Sequence, residues 1–243
     1  MAATKSEIKK YKAKGAAAVD EGLPGWFATF ADMMTLLLAF FVLLAAISTI
    51  DPVKLQEMAD SMGKKVGKKT KKGKAMNLAD VKGAVNKMIK ENKDLQKDVE
   101  ISTSPKGVTI GISSDISFKS GSAELKPGII RVLKKILPTI NEPKNKFRIA
   151  IEGHTDSDQL PEKFQEKYPS NWELSAARAA GVVRELIDLG VDPTRLEAVG
   201  LAEFLPRERP TDRVLTRGMI PRYNRDEISK AKNRRVEITF KAK

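Results

Sequence analysis

Residues 26–50 read WFATFADMMTLLLAFFVLLAAISTI, a run of 25 residues with a single charge, Asp32. A bilayer's hydrocarbon core is about 30 Å thick and takes about 20 apolar residues in a helix, so this run spans one with some tilt. No other stretch of the chain approaches its length and apolarity. A carboxylate inside such a helix costs about 2.5–3.5 kcal/mol on insertion scales, so a chain that keeps one either uses it or pairs it.

Helical spacing says where that carboxylate points. Ala28, Asp32, Thr35, Ala39, Val42, Ala46 and Thr49 follow alternating steps of four and three, one seam of a heptad. Every member is small, β-branched or polar, whereas Leu37, Phe40, Phe41 and Leu44 lie largely away from it. Small residues let membrane helices approach closely, and hydroxyls bond across the contact. Asp32 therefore faces protein. Two readings stand: an ion- or proton-carrying carboxylate, or a buried polar contact that fixes helix pairing.

Working outward, residues 1–25 are short, polar and basic, with Lys5, Lys9, Lys10, Lys12 and Lys14. The apolar run is too long for a secretory signal core, which makes the segment an uncleaved signal anchor. Lys54, Lys64, Lys65, Lys68 and Lys69 follow the span, so the positive-inside rule leaves the orientation open. Leu23-Pro24-Gly25 breaks the chain before the span, and Asp51-Pro52 ends it and can start another helix. In residues 51–66, Leu55, Met58, Met62 and Val66 recur at helical steps. This amphipathic segment is either an ordinary interfacial helix or a plug lying against the membrane part.

Residues 63–74, GKKVGKKTKKGK, hold seven lysines and three glycines, a composition that builds no core. The phosphate-loop pattern fails there, because Lys69 follows Gly67-Lys68. We read 67–100 as a basic linker followed by a polar helix with Leu78, Val81, Val85, Met88 and Ile89 on one side.

From 101 to 243 the pattern is that of a compact α/β domain. Residues 107–112, 147–151, 195–199 and 235–240 read as strands, and 126–140 and 171–189 as amphipathic helices. The predicted order is β-α-β-α-β-β, with 203–230, rich in Pro and Arg, as an excursion from the core. The fold class is a single N-terminal transmembrane helix plus this α/β domain.

The chain lacks cysteine, which excludes disulfides, thiolate zinc sites and cysteine nucleophiles. Its formal charge of +13 suggests an anionic partner, but the lysines are clustered, so the total does not by itself indicate nucleic acid. The sole histidine, His154, follows a strand without evident partners and reads as structural, so no metal set is expected. Asp156 and Asp158 lack an acid/base partner, and Ser175 sits inside a helix without a nucleophile elbow. No catalytic constellation is found. A binding pair is more convincing. Asp156 lies just past a strand, and Arg178 lies near the start of the next helix, which Asn171 can cap. Together they suit a ligand carrying both an ammonium and a carboxylate. The alternative is an internal Asp156–Arg178 salt bridge.

Residues 26–44 closely resemble the single membrane span of the flagellar motor stator B subunit, the MotB/PomB family. Residues 147–240 resemble the OmpA-like peptidoglycan-binding domain through Gly153-His154-Thr155-Asp156, Asn171-Trp172-Glu173-Leu174-Ser175-Ala176-Ala177-Arg178-Ala179 and Asn233-Arg234-Arg235-Val236-Glu237. The interval between Asp156 and Asn171, which includes Glu162 to Tyr168, is longer than in the commonest OmpA-like pattern. The motor branch shares an insertion of this kind.

The resemblance implies the rest. Asp32 matches the family's ion-binding aspartate. Thr35, one turn on, is either a further sodium ligand or a packing hydroxyl. Asp156 and Arg178, with Asn171 and Thr155, match the site for the diaminopimelate part of the wall peptide, and residues 52–66 match the plug. The partners implied are stator A subunits (MotA/PomA type), a second B subunit, peptidoglycan and the inner membrane, with no nucleic acid. The N-terminus would be cytoplasmic and the C-terminal domain periplasmic. No cofactor is implied, only transported sodium or protons. The segment after the span looks more like the sodium-driven members. The competing reading is a structural envelope tether that binds peptidoglycan without conducting ions. An ion-driven energiser of outer-membrane transport or gliding would keep Asp32 but lack this wall-binding domain.

Overall fold

The computed structural model describes residues 5, 6, 9, 10, 24–47, 75–210 and 214–241. The chain divides into two units, 1–50 and 51–243. In the first, helix α1 runs Gly25–Ile47, about 34 Å at 1.5 Å per residue. It starts where the Phe27 N–H donates to the Pro24 carbonyl at 2.7 Å. It is long and apolar enough to cross a membrane over Gly25–Ala46. Its large side chains, Leu36, Leu38, Phe41 and Leu43 among them, are exposed along the single chain, so lipid or other subunits must cover them. The seam from Ala28 to Ala46 lies on this helix; Thr49 and the plug-like segment 51–66 lie outside the described residues.

The second unit is built on a five-stranded sheet in the order β1–β2–β5–β3–β4. The strands are β1 Val99–Ser104, β2 Gly107–Ser113, β3 Ile149–His154, β4 Leu196–Gly200 and β5 Arg235–Lys241. β3 and β4 are parallel, and the other neighbours are antiparallel. Alternation explains why these stretches are strands. Val108, Ile110, Ile112, Val236, Ile238 and Phe240 are fully buried, while Thr109, Glu237 and Thr239 between them face the opposite side. There the Thr109 and Thr239 hydroxyls share a hydrogen bond of 2.9 Å.

Three helices fill the apolar side: α2 Leu78–Glu91, α3 Pro127–Ile140 and α4 Asn171–Asp188. Helix α3 opens with Pro at its first position and buries Ile129, Val132, Leu133, Ile136 and Ile140, spaced along one face. Helix α4 is the crossover that a parallel β3–β4 pair requires. It ends before Gly190, whose φ of +87° suits the left-handed step of a helix stop.

Two expectations are corrected. Residues 76–100 are not a linker helix outside the domain. Asn77 and Asp80 form a capping box that starts α2, and Leu78, Val81 and Val85 belong to the same core as the sheet. Residues 99–104 are an edge strand, so the domain begins near 76 rather than 101, and the order is α-β-β-α-β-α-β-β. The 203–230 excursion is also structural in part. It carries the short helix Arg217–Tyr223, buries Ile220, and lays Arg207 over the polar side of the sheet. A seven-residue helix, α5 Glu227–Asn233, leads from it into β5.

Candidate functional site

Two glycines set the site's geometry. A Cβ at Gly153 would lie 2.2 Å from the Ser175 carbonyl oxygen, and one at Gly200 would lie 2.6 Å from the Ala176 nitrogen. The backbone of α4 therefore rests directly on the carboxyl ends of β3 and β4. This brings the loop after β3 alongside the first turns of α4. The Leu201 and Thr155 N–H groups, bonded to the Gly153 and Ala202 carbonyls at 3.0 and 2.9 Å, hold that loop against the one after β4.

The cleft that results has a volume of about 420 Å³, and Thr155, Asp156, Asn171, Arg178 and Arg234 all line it. The four residues expected from the sequence thus come together. Their hydrogen bonds differ from the alternative of an internal Asp156–Arg178 pair and from the expected Asn171 cap. Asp156 does not pair with Arg178 but with Arg234, at 2.6 Å. The other oxygen of Asp156 accepts from the Asp158 N–H at 3.2 Å, which folds the loop back on itself. Asn171 is not the cap of α4. Ser170 caps it in a box with Glu173, and the Ser170 hydroxyl holds the Glu173 carboxyl below its usual range. Asn171 stands one position later, where its amide donates to the Asp156 and Asp158 carbonyls at 3.2 and 3.1 Å. It shapes the loop that carries Asp156. The Thr155 hydroxyl is buried without a hydrogen-bond partner among the described residues.

Arg178 is the unusual group. It is 6% exposed. Its Nε donates to the Ser122 carbonyl at 3.0 Å, and its guanidinium lies 5.0 Å over the Phe118 ring. Among the described residues no carboxylate lies within ion-pair distance of it. Burial pulls its pKa down to about 10, a loss that the charge of Asp156 only partly offsets. A buried cation without a paired anion has the chemistry to accept one.

Sequence reasoning missed Arg234. Partial burial works against its charge, but the hydrogen bond and charge of Asp156 outweigh that and raise its pKa overall. Its partner lies 78 residues away, so no spacing rule could have linked them.

On the opposite side of the sheet, His154 is 1% exposed. Burial and the neighbouring Arg235 charge push its pKa down to about 3, so the ring is neutral. In α1, the Thr35 hydroxyl donates to the Asp32 carbonyl at 2.8 Å. It bonds its own helix while keeping its oxygen lone pairs available.

The chain matches two family models: membrane MotB of the proton-channel complex MotA/MotB, over residues 8–66, and the OmpA family, over residues 117–214. It is similar to motility protein B of Bacillus subtilis (strain 168), 31% identical over 90% of each chain. Motility protein B of Escherichia coli (strain K12) is 28% identical over 80% of this chain and 75% of that one. Among solved structures, a putative MotB like protein from Desulfovibrio vulgaris superposes with a TM-score of 0.55 at 26% identity, over 68% of this chain and 96% of that one. The cell wall anchor of the T6SS from Pseudomonas aeruginosa gives 0.51 at 26% identity, over 65% of this chain and 96% of that one.

Proposed function

The chain belongs to the motility protein B family and carries an OmpA-like domain, and from that premise we propose that it is the B subunit of a flagellar stator. It joins an ion pathway in the inner membrane to an anchor on peptidoglycan. A motor component of this kind works by binding and carrying charge rather than by making or breaking covalent bonds.

One observation carries this reading: a single chain places a carboxylate on the small-residue seam of a membrane-length helix and a buried, unpaired guanidinium in the cleft of a separate domain. Asp32 would bind the moving cation while it crosses a gap between B and A subunits. Thr35 would help orient it. In the cleft, Arg178 would take the carboxylate of the diaminopimelate part of the wall peptide. Asp156 would take its ammonium, held in place by Arg234 and by the loop that Asn171 and Thr155 support. Two B subunits within a ring of A subunits, with the N-terminus cytoplasmic and the α/β unit periplasmic, complete the arrangement.

Asp32→Asn tests the ion pathway. The amide is nearly isosteric but cannot gain or lose the charge, so rotation should stop while membrane insertion and assembly persist. Normal swimming in the Asp32→Asn strain would end this reading. Swimming speed against external sodium at fixed pH then separates sodium from proton coupling. A second reading, a tether without conduction, draws support from the likeness to a cell wall anchor, and normal swimming would leave it standing.

A further inference from the structure

The polar side of the sheet holds a second cleft, of about 210 Å³, that the wall-binding reading leaves unused. At its base stand Glu152, His154 and Glu237, with their donor atoms all within 4.8 Å of one another. Both ring nitrogens of His154 are buried without a hydrogen-bond partner among the described residues. Its Nε2 lies 3.9 Å from a Glu152 oxygen and 3.8 Å from a Glu237 oxygen. An orphaned buried polar group normally costs about 1–3 kcal/mol, so a native fold retains one for a reason.

The carboxylates show a second anomaly. Glu152 and Glu237 sit directly opposite each other on β3 and β5, where like charges repel. Among the described residues, Glu237 is compensated by arginine on one oxygen: Arg235 donates to Oε1 at 2.5 Å and Arg207 at 3.4 Å. Its Oε2 faces His154. Among the described residues, the one ion-pair-range contact of Glu152 is the same neutral imidazole.

We propose that Glu152, His154 and Glu237 bind a divalent first-row transition cation, zinc or one of similar ligand preference. One imidazole nitrogen and two carboxylate oxygens form a borderline donor set, unlike the all-oxygen cages of magnesium and calcium. Bonds of about 2.0–2.2 Å set ligand-to-ligand edges of about 3.3–3.6 Å in a tetrahedral site, so the two His154–glutamate edges, at 3.8 and 3.9 Å, close by a few tenths of an ångström, and side-chain rotation brings the glutamate oxygens, within 4.8 Å of each other, the rest of the way. Arg235 would serve as the outer group that orients Glu237. The open side of the cleft leaves a position for water. The spacing of these residues in sequence hides the set, because Glu237 reaches it only by pairing β5 with β3. The bound ion would staple the two central strands across the sheet.

The test uses the full chain in detergent, untagged and stripped with EDTA. Zinc should bind saturably, one per chain, and raise the melting temperature of the α/β unit, since a ligand that binds only the folded state stabilises it. Cobalt should give the visible absorption of a nitrogen-containing site. Glu152→Gln leaves the Arg235–Glu237 pair intact; it should weaken zinc binding about tenfold or more and remove the thermal shift. Magnesium at the same concentration should have neither effect. Failure of the wild-type chain to bind at millimolar zinc would overturn the proposal, and the orphaned imidazole would then be satisfied by a trapped water. Equal binding by wild type and Glu152→Gln would place the ion elsewhere and overturn it too. Neither result bears on wall binding or ion flow.

Discussion

Arg178→Met separates a ligand-gripping guanidinium from a structural one. The substitution keeps an unbranched stem over Phe118 and removes the charge. Burial lowers the Arg178 pKa from the usual guanidinium range to about 10; at 1.36 kcal/mol per pH unit, keeping that charge works against the folded state by on the order of 3 kcal/mol. Against this stand the hydrogen bond to Ser122 and the cation–ring contact, worth about 1–3 kcal/mol together. The two nearly cancel, so stability should change by no more than about 2 kcal/mol, or about 4–8 °C in a domain of this size. Affinity should respond quite differently. Losing a charge-assisted contact removes about 1.5–3 kcal/mol, roughly 10- to 150-fold in binding. Co-sedimentation with purified peptidoglycan and thermal melts on the same full-length sample measure both. Normal sedimentation with a melting temperature more than about 10 °C lower would refute the reasoning and make Arg178 a scaffold.

Gly153→Ala should destabilise the α/β unit by about 1–3 kcal/mol or more, because its Cβ meets the Ser175 carbonyl at 2.2 Å; an unchanged melt would show that α4 does not rest on β3 so closely. His154 predicts a pH dependence. Its folded pKa of about 3 lies below the ordinary imidazole value of 6.5, so below pH 6.5 the unfolded chain takes up a proton that the folded chain refuses. Stability is then full above that value and falls with pH, by about 2 kcal/mol between pH 7 and 5 in EDTA; urea melts of wild type and His154→Gln should differ in slope over that window, and equal slopes would contradict the buried neutral ring. Deleting residues 52–66 should make cells that co-express the A subunit leak the coupling ion and grow slowly, and unaffected growth and ion content would reduce that segment to a spacer.

Much of this molecule is legible without a fold because its signals are local. A 25-residue apolar run is long enough to span whatever follows it, and the seam through Asp32 is a matter of helical spacing. The alternation in 107–112 and 235–240 and the heptad-like burial of α3 likewise follow from neighbours in sequence. Edge strand β1 escaped because four of its six residues are polar and it adjoins a helix whose polar surface hides its one buried face. The partner of Asp156 was decided by the tertiary structure alone. Arg234 reaches it because β5 enters the centre of the sheet, antiparallel to β3, and delivers the residue before the strand to the end of its neighbour. The same strand insertion sets Glu237 opposite Glu152 beside His154. Residue type and spacing report which side chains share a helix face or a strand face. Which strands lie side by side depends on how the whole core closes, and that is a property of the packed chain.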